Sequence, residues 1–312
     1  APPAPRKGGM LQLAASELDL DRWLAVTDGI GDGAGGTSSF AALQVDAAAA
    51  RFLGRHWHRV HVQGESKGPV WSLAMAADEA QGSVRVTLGK EGAERVEGRF
   101  AKLMMPEAEE ERQAPQEGHL PAFDLTVDRF GLGDRWLGAL ALRASLAPGR
   151  WSLDALTLEV PSVFHIDARG VWRDGDKTQT TFSATMTIDD AGKTVRHWFD
   201  TGGLKGGTGT LSLKGHWPGA PLDFDLYRVS AEGEIEVTNG RFEEIDPGVG
   251  RLLGILSLQN LPRRLLLDFG DVFAKGMAFD RFHGNFALND GYLTTGNLRI
   301  SAPSATVEMV GM

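Results

Sequence analysis

HWHRVH, residues 56–61, is the densest set of potential metal ligands in the chain. On a strand, His56 and His58 share a face, and two such imidazoles can chelate zinc. Strict alternation sends His61 to the opposite face, so no third ligand is supplied and a solvated strand face is the simpler reading. Gly31-x-Gly33-x-x-Gly36 matches a dinucleotide fingerprint as text. It lacks the preceding strand and following helix that would hold a pyrophosphate. GGLKGGTGT lacks the lysine spacing of a phosphate loop. Asp189-Asp190 and Glu243-Glu244 offer paired carboxylates, but adjacent strand residues point opposite ways. Turn chemistry accounts for the first pair and a solvated edge for the second. Sequence order assembles no Ser–His–Asp set. The eight tryptophans stand mostly at strand ends beside glycine, where packing as core or rim is expected over sugar stacking. No catalytic residue, metal or cofactor is therefore expected, and the chain reads as a non-enzyme.

Composition supports a folded protein without a nucleic-acid partner. Apolar residues make up 42% and charged residues 23% of the 312 positions, which excludes wholesale disorder. A formal charge of −9 opposes binding to a phosphate backbone. The absence of cysteine rules out disulfides and thiolate sites and leaves the redox compartment open. No apolar run is long enough to span a bilayer as a helix. Forty glycines are nearly double the usual share and point to many turns between many strands.

The elements that would position any site are strands. LQVDA, HRVHVQ, WSLAMAA, SVRVTLG and RVEGRFAKL alternate apolar and polar residues between residues 38 and 104, the signature of half-buried strands. A helix is expected over 16–28, with Leu20, Trp23, Leu24 and Thr27 on one face. Residues 1–8 read as a linker and 9–105 as a first β unit. Residues 106–120 form an acidic, proline-rich surface loop or hinge, and 121–312 a second β unit. Within the second unit FDLTVD, LGALALRA, RWSLDALTLEV, FHIDARGVW and QTTFSATMTID are strands. A short helix over KTVRHWFDTGG precedes GTLSLKGHW, DFDLYRVS, GEIEVTN and RFEEI, then MAFDRFHGNFALN, YLTTGNLRIS and ATVEMV. Asn239-Gly240 and Asp290-Gly291 are two-residue hairpin signals. Leu43-x-Val45-Asp46, Trp57 and Trp71-Ser72-Leu73 recur as Leu125-x-Val127-Asp128, Trp136 and Trp151-Ser152-Leu153. The offset of about eighty residues suggests an internal duplication.

PGVGRLLGILSLQNLPRRLLLDF, residues 247–269, is dense in leucine. Asp246 can cap a helix, Pro247 suits its first position, and Pro262 ends it. The expected role is a helix capping one end of the β structure. Leu252, Leu253, Ile255 and Leu256, with Arg263 and Arg264, are candidates for contact with a membrane or a partner.

The strands assign faces. Phe182, Met186 and Ile188 share one face of their strand. Leu211 with Leu213, Phe224 with Leu226, Ile235 with Val237, Phe286 with Leu288 and Leu298 with Ile300 do the same. Thr185, Ser212, Lys214, Glu234 and Glu236 fill the opposite faces. Few helices are available to cover so many apolar faces. They either close on each other as a sandwich or curve around a guest.

The run from Pro247 to Gly311, with GVW, TMTIDDAGKTVRHWF and GGTGTLSLKGHWPG before it, resembles the C-terminal region of the YhdP-type members of the AsmA-like family. The resemblance implies an elongated, curved antiparallel β-groove similar to the repeating β-groove lipid-transfer proteins, with a few short helices capping it. It implies a periplasmic location in a Gram-negative envelope and an inner-membrane anchor outside this chain, which would be a C-terminal fragment. It also implies phospholipid as cargo moving between the inner and outer membranes, and the outer membrane or an envelope protein as a further partner. The thirteen face residues from Phe182 to Ile300 then become candidates to line the groove. An acyl chain of about 16 carbons left in water costs on the order of 13 kcal/mol, and a continuous apolar lane removes most of it. The alternative is a structural or adaptor sandwich without a lipid channel.

Overall fold

The computed structural model describes residues 9–20, 40–89, 92–107, 120–173, 178–199, 202–221, 224, 226–243, 276–303 and 305–311. Its strands are ordered in one sheet from first to last, each hydrogen-bonded to its sequence neighbours. The protein is mainly β. Two compact units divide it, Ala1–Leu146 and Ala147–Met312.

The first unit holds β1 (Gly9–Asp19), β2 (Phe40–Phe52), β3 (Arg55–Lys67), β4 (Val70–Ala76), β5 (Ala80–Gly89), β6 (Gly92–Met105), β7 (Ala122–Leu132) and β8 (Arg135–Ala147). Pairing is antiparallel except at β1–β2 and β6–β7, which run parallel. Parallel neighbours need a long connection. The acidic, proline-rich segment after Met105 joins one such pair, which is why a hairpin turn is missing there. The helix expected over 16–28 is overturned at its start. Glu17, Leu18 and Asp19 are strand residues paired with Ala49, Ala50 and Arg51, and helical backbone begins at Leu20, later than expected, because pairing with β2 holds the preceding residues extended. Residues 21–28 of that expectation lie outside the described residues.

The second unit holds β9 (Arg150–Val160), β10 (Phe164–Arg173), β11 (Gln179–Ile188), helix α1 (Ala191–Phe199), β12 (Leu204–Pro218), β13 (Ser230–Phe242), β14 (Met277–Asn289), β15 (Tyr292–Ala302) and β16 (Ala305–Gly311). Asp290 and Gly291, both at positive φ, make the expected hairpin turn between β14 and β15. Asn239-Gly240 does not turn the chain. β13 continues through it, paired on both sides, with Gly240 opposite Gly206 and Phe279. A Cβ on Gly240 would lie 2.2 Å from the Phe279 ring, so this glycine makes room for an aromatic ring. DFDLYRVS is likewise not a strand: Leu226–Arg228 form a single 3-10 turn and pairing begins at Ser230.

The duplication is visible element by element. β3 and β8 begin at Arg55 and Arg135, and β4 and β9 at Val70 and Arg150, about eighty residues apart in each case. Left-handed glycines close equivalent turns, Gly54 with Gly133 and Gly68 with Gly149.

Sealed core is local in both units. In the first, Ala50, Trp57, Val60 and Ala80 form a buried cluster flanked by Leu18, Phe52, Val62 and Leu103. Arg59, at φ 50°, breaks the alternation of β3, so Trp57 and Val60 join one cluster although three residues apart. In the second, Ile188, Ala191, Val237, Met277, Phe279 and Ile300 are buried together. The Asp190 carboxylate caps α1 by accepting the Lys193 backbone N–H at 2.9 Å. Phe164 is fully buried and packs on the His197 and Trp198 rings at 5.3 and 5.5 Å. We expect Phe164→Ala to lower stability by about 3–5 kcal/mol in urea unfolding. Phe224→Ala, at a position 51% exposed, should cost about 1 kcal/mol or less.

Candidate functional site

Antiparallel pairing places directly opposed residues on the same face, so apolar residues line up across the strands as rungs. In the second unit one rung runs Phe164, Ile188, Gly209, Val237, Phe282 and Ile300. The next runs Leu158, Ile166, Met186, Leu211, Ile235 and Gly284. A third runs Leu156, Ala168, Ala184, Leu213, Gly233 and Phe286, and a fourth Gly170, Phe182, Gly215, Ala231 and Leu288. The last is Trp151, Trp172, Thr180 and Trp217. The rungs stack into an apolar lane crossing the unit.

Eleven of the thirteen residues expected to line a groove fall on these strands, on this face. Phe224 does not: it is exposed and meets the Trp217 ring edge-on at 5.3 Å. Leu226 lies in the 3-10 turn. Leu252, Leu253, Ile255, Leu256, Arg263 and Arg264 lie outside the described residues. The sequence reading missed the contribution of β9 and β10. A bulge opposite Ala168–Gly170 separates Leu153 from Leu156 by three positions, so a period of two does not detect them as one face. It also missed the tryptophan rung. The signal was present as tryptophan recurring at successive strand ends.

Burial along the lane is uneven in an informative way. Phe164, Ile188, Val237 and Ile300 are buried beside α1 and β16. Ala184, Met186, Leu211, Leu213, Ile235, Phe286 and Leu288 are only half-buried. In a closed sandwich the middle rungs would be the driest, because the facing sheet interdigitates there. Here burial is greatest at the two ends, around Ile188 and α1 and again at Trp151, Thr180 and Ala231, and among the described residues every strand belongs to the one sheet. Glycine adjusts the lane's profile. A Cβ on Gly233 would lie 2.3 Å from the Phe286 ring, and one on Gly64 2.3 Å from Leu73 Cδ2. Many glycines therefore sit inside strands under a neighbour's side chain, and turns alone do not account for them.

The first unit repeats the pattern. Leu11, Leu43, Gly64, Leu73, Val84, Gly98, Leu125 and Leu142 form one rung. Leu13, Val45, Val62, Met75, Gly82, Phe100, Val127 and Leu140 form the next.

The opposite face is charged. Lys214 pairs with Glu232 at 3.6 Å, Arg281 with Glu236 at 3.0 Å, and Arg299 with Glu308. Exposed pairs of this kind contribute about 0–1 kcal/mol each. Two hollows lie over this face. One, of about 780 Å³, is walled by polar rungs that include Glu65, Arg85, Glu97 and Arg99. The other, of about 980 Å³, is walled by Thr185, Lys214, Glu232, Glu234 and Asn285. Shape and chemistry disagree at this point. Leu43, Leu73 and Val84 also line the first hollow and Leu213 and Phe286 the second, but most of the lining side chains are polar or charged, and a hydrocarbon gains little against paired charges, so the apolar lane is the better candidate surface.

The histidines are satisfied singly. His58 Nδ1 meets Glu79 Oε1 at 2.7 Å and His61 pairs with Asp46, and no group of three potential ligands gathers among the described residues. No helix among the described residues is long and apolar enough to cross a membrane.

An amphipathic sheet protein with one apolar lane per unit is the class that these elements define. A family model described as "YhdP protein" matches residues 1–312, and the chain belongs to that family. It is also 31% identical over 97 residues to the intermembrane phospholipid transporter YhdP of Escherichia coli (strain K12). That alignment covers 31% of this chain and 8% of the relative, so the chain spans a small part of its length. No solved structure matches.

The Asp46 carboxyl is held below the ordinary aspartate range. Gln44 Nε2 donates to its Oδ2 at 2.9 Å, and His61 adds a second hydrogen bond and a weaker attraction of charge. A depressed carboxyl stabilises the fold above its unfolded pKa of about 3.9 and loses that contribution as pH falls through the lower folded value. The stability gap between the native chain and Asp46→Asn should therefore be largest near neutrality and close toward about pH 3 in urea unfolding.

Proposed function

We propose that this chain is a lipid-conducting part of a periplasmic protein that carries phospholipid between the inner and outer membranes of a Gram-negative bacterium. Acyl chains slide along the apolar lane while the charged face stays in water. The observation that carries this reading is the half-buried state of the middle rungs. Leu211, Leu213, Ile235 and Phe286 offer interchangeable aliphatic and aromatic surface without a closed pocket. Each methylene moved from water onto such a surface gains up to about 0.8 kcal/mol. Because successive rungs offer similar surface, a chain advancing by one rung exchanges like for like. The lane therefore has no deep well to trap the cargo. No step in this mechanism needs a catalytic group, and the protein is read as a non-enzyme. Family membership and the name of the Escherichia coli relative support phospholipid as the cargo. The inner membrane, reached through an anchor outside this chain, and the outer membrane or an envelope protein are the proposed partners.

Site-specific photo-crosslinking in cells tests the reading. A benzophenone amino acid replacing Met186 or Leu213 should yield phospholipid adducts. The same group replacing Thr185 or Lys214 should yield several-fold fewer. Equal yields from both faces would contradict the assignment of the lane.

A further inference from the structure

In the first unit two hairpin turns carry nearly the same run of residues. Arg51-Phe52-Leu53-Gly54-Arg55-His56-Trp57 joins β2 to β3, and Arg129-Phe130-Gly131-Leu132-Gly133-Asp134-Arg135-Trp136 joins β7 to β8. Both turns are tied to the same short stretch of chain. The Arg55 guanidinium donates to the Pro106 carbonyl, and the Gly133 N–H donates to the Met105 carbonyl at 2.8 Å. Leu53 is 59% exposed, Leu132 49% and Trp136 38%. Leu53 also sits at φ 55°, a backbone conformation that strains a bulky side chain. A turn that only reverses the chain favours asparagine or glycine at such a position. A single exposed leucine is ordinary. The same leucine at the apex of two equivalent turns, both fixed to Met105-Pro106, makes a patch.

We propose that these leucine-tipped turns, with Trp136 beside them, are a contact with a lipid bilayer. Size and charge select that occupant. Three side chains fall far short of the roughly 800 Å² per partner that a stable protein interface buries. Hydrocarbon needs no matching surface, and each leucine withdrawn into it strengthens binding about tenfold. Arg135 follows Asp134, and Glu107 lies against Gly133, so the patch offers mixed charge and a zwitterionic bilayer suits it. An indole at the level of Trp136 suits the boundary between hydrocarbon and water. The patch is also continuous with the lane. Val62 of the lane, and Phe52 and Met105 beside the tips, pack on the one buried cluster around Trp57. The inference extends the proposed function, in which a membrane is a partner, by naming the part of the fold that meets it.

The chain has no cysteine, so one introduced cysteine carries one label. The test places a polarity-sensitive fluorophore at Leu53→Cys, at Leu132→Cys and, as the comparison, at Leu88→Cys. Leu88 is 39% exposed, at the opposite end of these strands. With vesicles of phosphatidylcholine and phosphatidylethanolamine, the labels at 53 and 132 should brighten severalfold and shift to the blue, and the label at 88 should not. The response should persist in high salt, since hydrocarbon rather than charge holds the contact. Leu53→Asn with Leu132→Asn, chosen because asparagine tolerates positive φ, should weaken vesicle binding about tenfold or more. Lipid crosslinking from Met186 and Leu213 should be unchanged in that variant. No response at 53 and 132, or an equal response at 88, overturns the contact and leaves the lane standing. A vesicle response in a chain that crosslinks no lipid upholds the contact while the lane fails. A response to membrane-free envelope extract but not to vesicles would overturn the assignment in favour of a protein partner.

Discussion

Cross-strand register is the constraint on which the rest of the structure depends. Alternation along one strand only separates two faces. Pairing Met186 with Leu211, and Leu211 with Ile235, turns separate faces into a continuous apolar surface. A slip of one residue would place Ser212 beside Met186 and move the surface to the wet side. The sealed cluster around Ile188 and α1 holds that register at one edge. The ion pairs of the charged face are too exposed to do so.

Much of this was legible because the signal was local and strictly periodic. β11 and β12 alternate without interruption, so the lining residues from Phe182 to Leu213 could be assigned to a face before any pairing was known. The helix α1 was legible too, expected over KTVRHWFDTGG, but its cap was not, because Asp189-Asp190 reads as turn chemistry and the Asp190 contact to the Lys193 N–H appears only in the structure. The repeated tryptophan and leucine landmarks likewise pointed to a duplication that recurs as matching strands and matching left-handed turns.

What escaped was decided by distant partners. Nothing near Gly9 or Gly92 announces a parallel neighbour, because that pairing depends on where a long connection returns the chain. Asn239-Gly240 is a strong hairpin signal in isolation, yet pairing with β12 and β14 carries the strand straight through it. Glycines inside strands were counted as turns, because the side chain that covers each one belongs to the neighbouring strand. The tryptophan rung was invisible as a unit, since Trp151, Trp172 and Trp217 become neighbours only through the register of four strands.

The central claim is that the middle of the apolar face stays accessible to hydrocarbon. Native mass spectrometry of the chain purified from envelope fractions tests it most directly. The account predicts protein carrying one or more phospholipid masses, released at higher collision energy and lost when Leu211 and Leu213 are replaced by aspartate in a chain that still folds. Bare protein under the gentlest conditions that preserve other lipid carriers would contradict it.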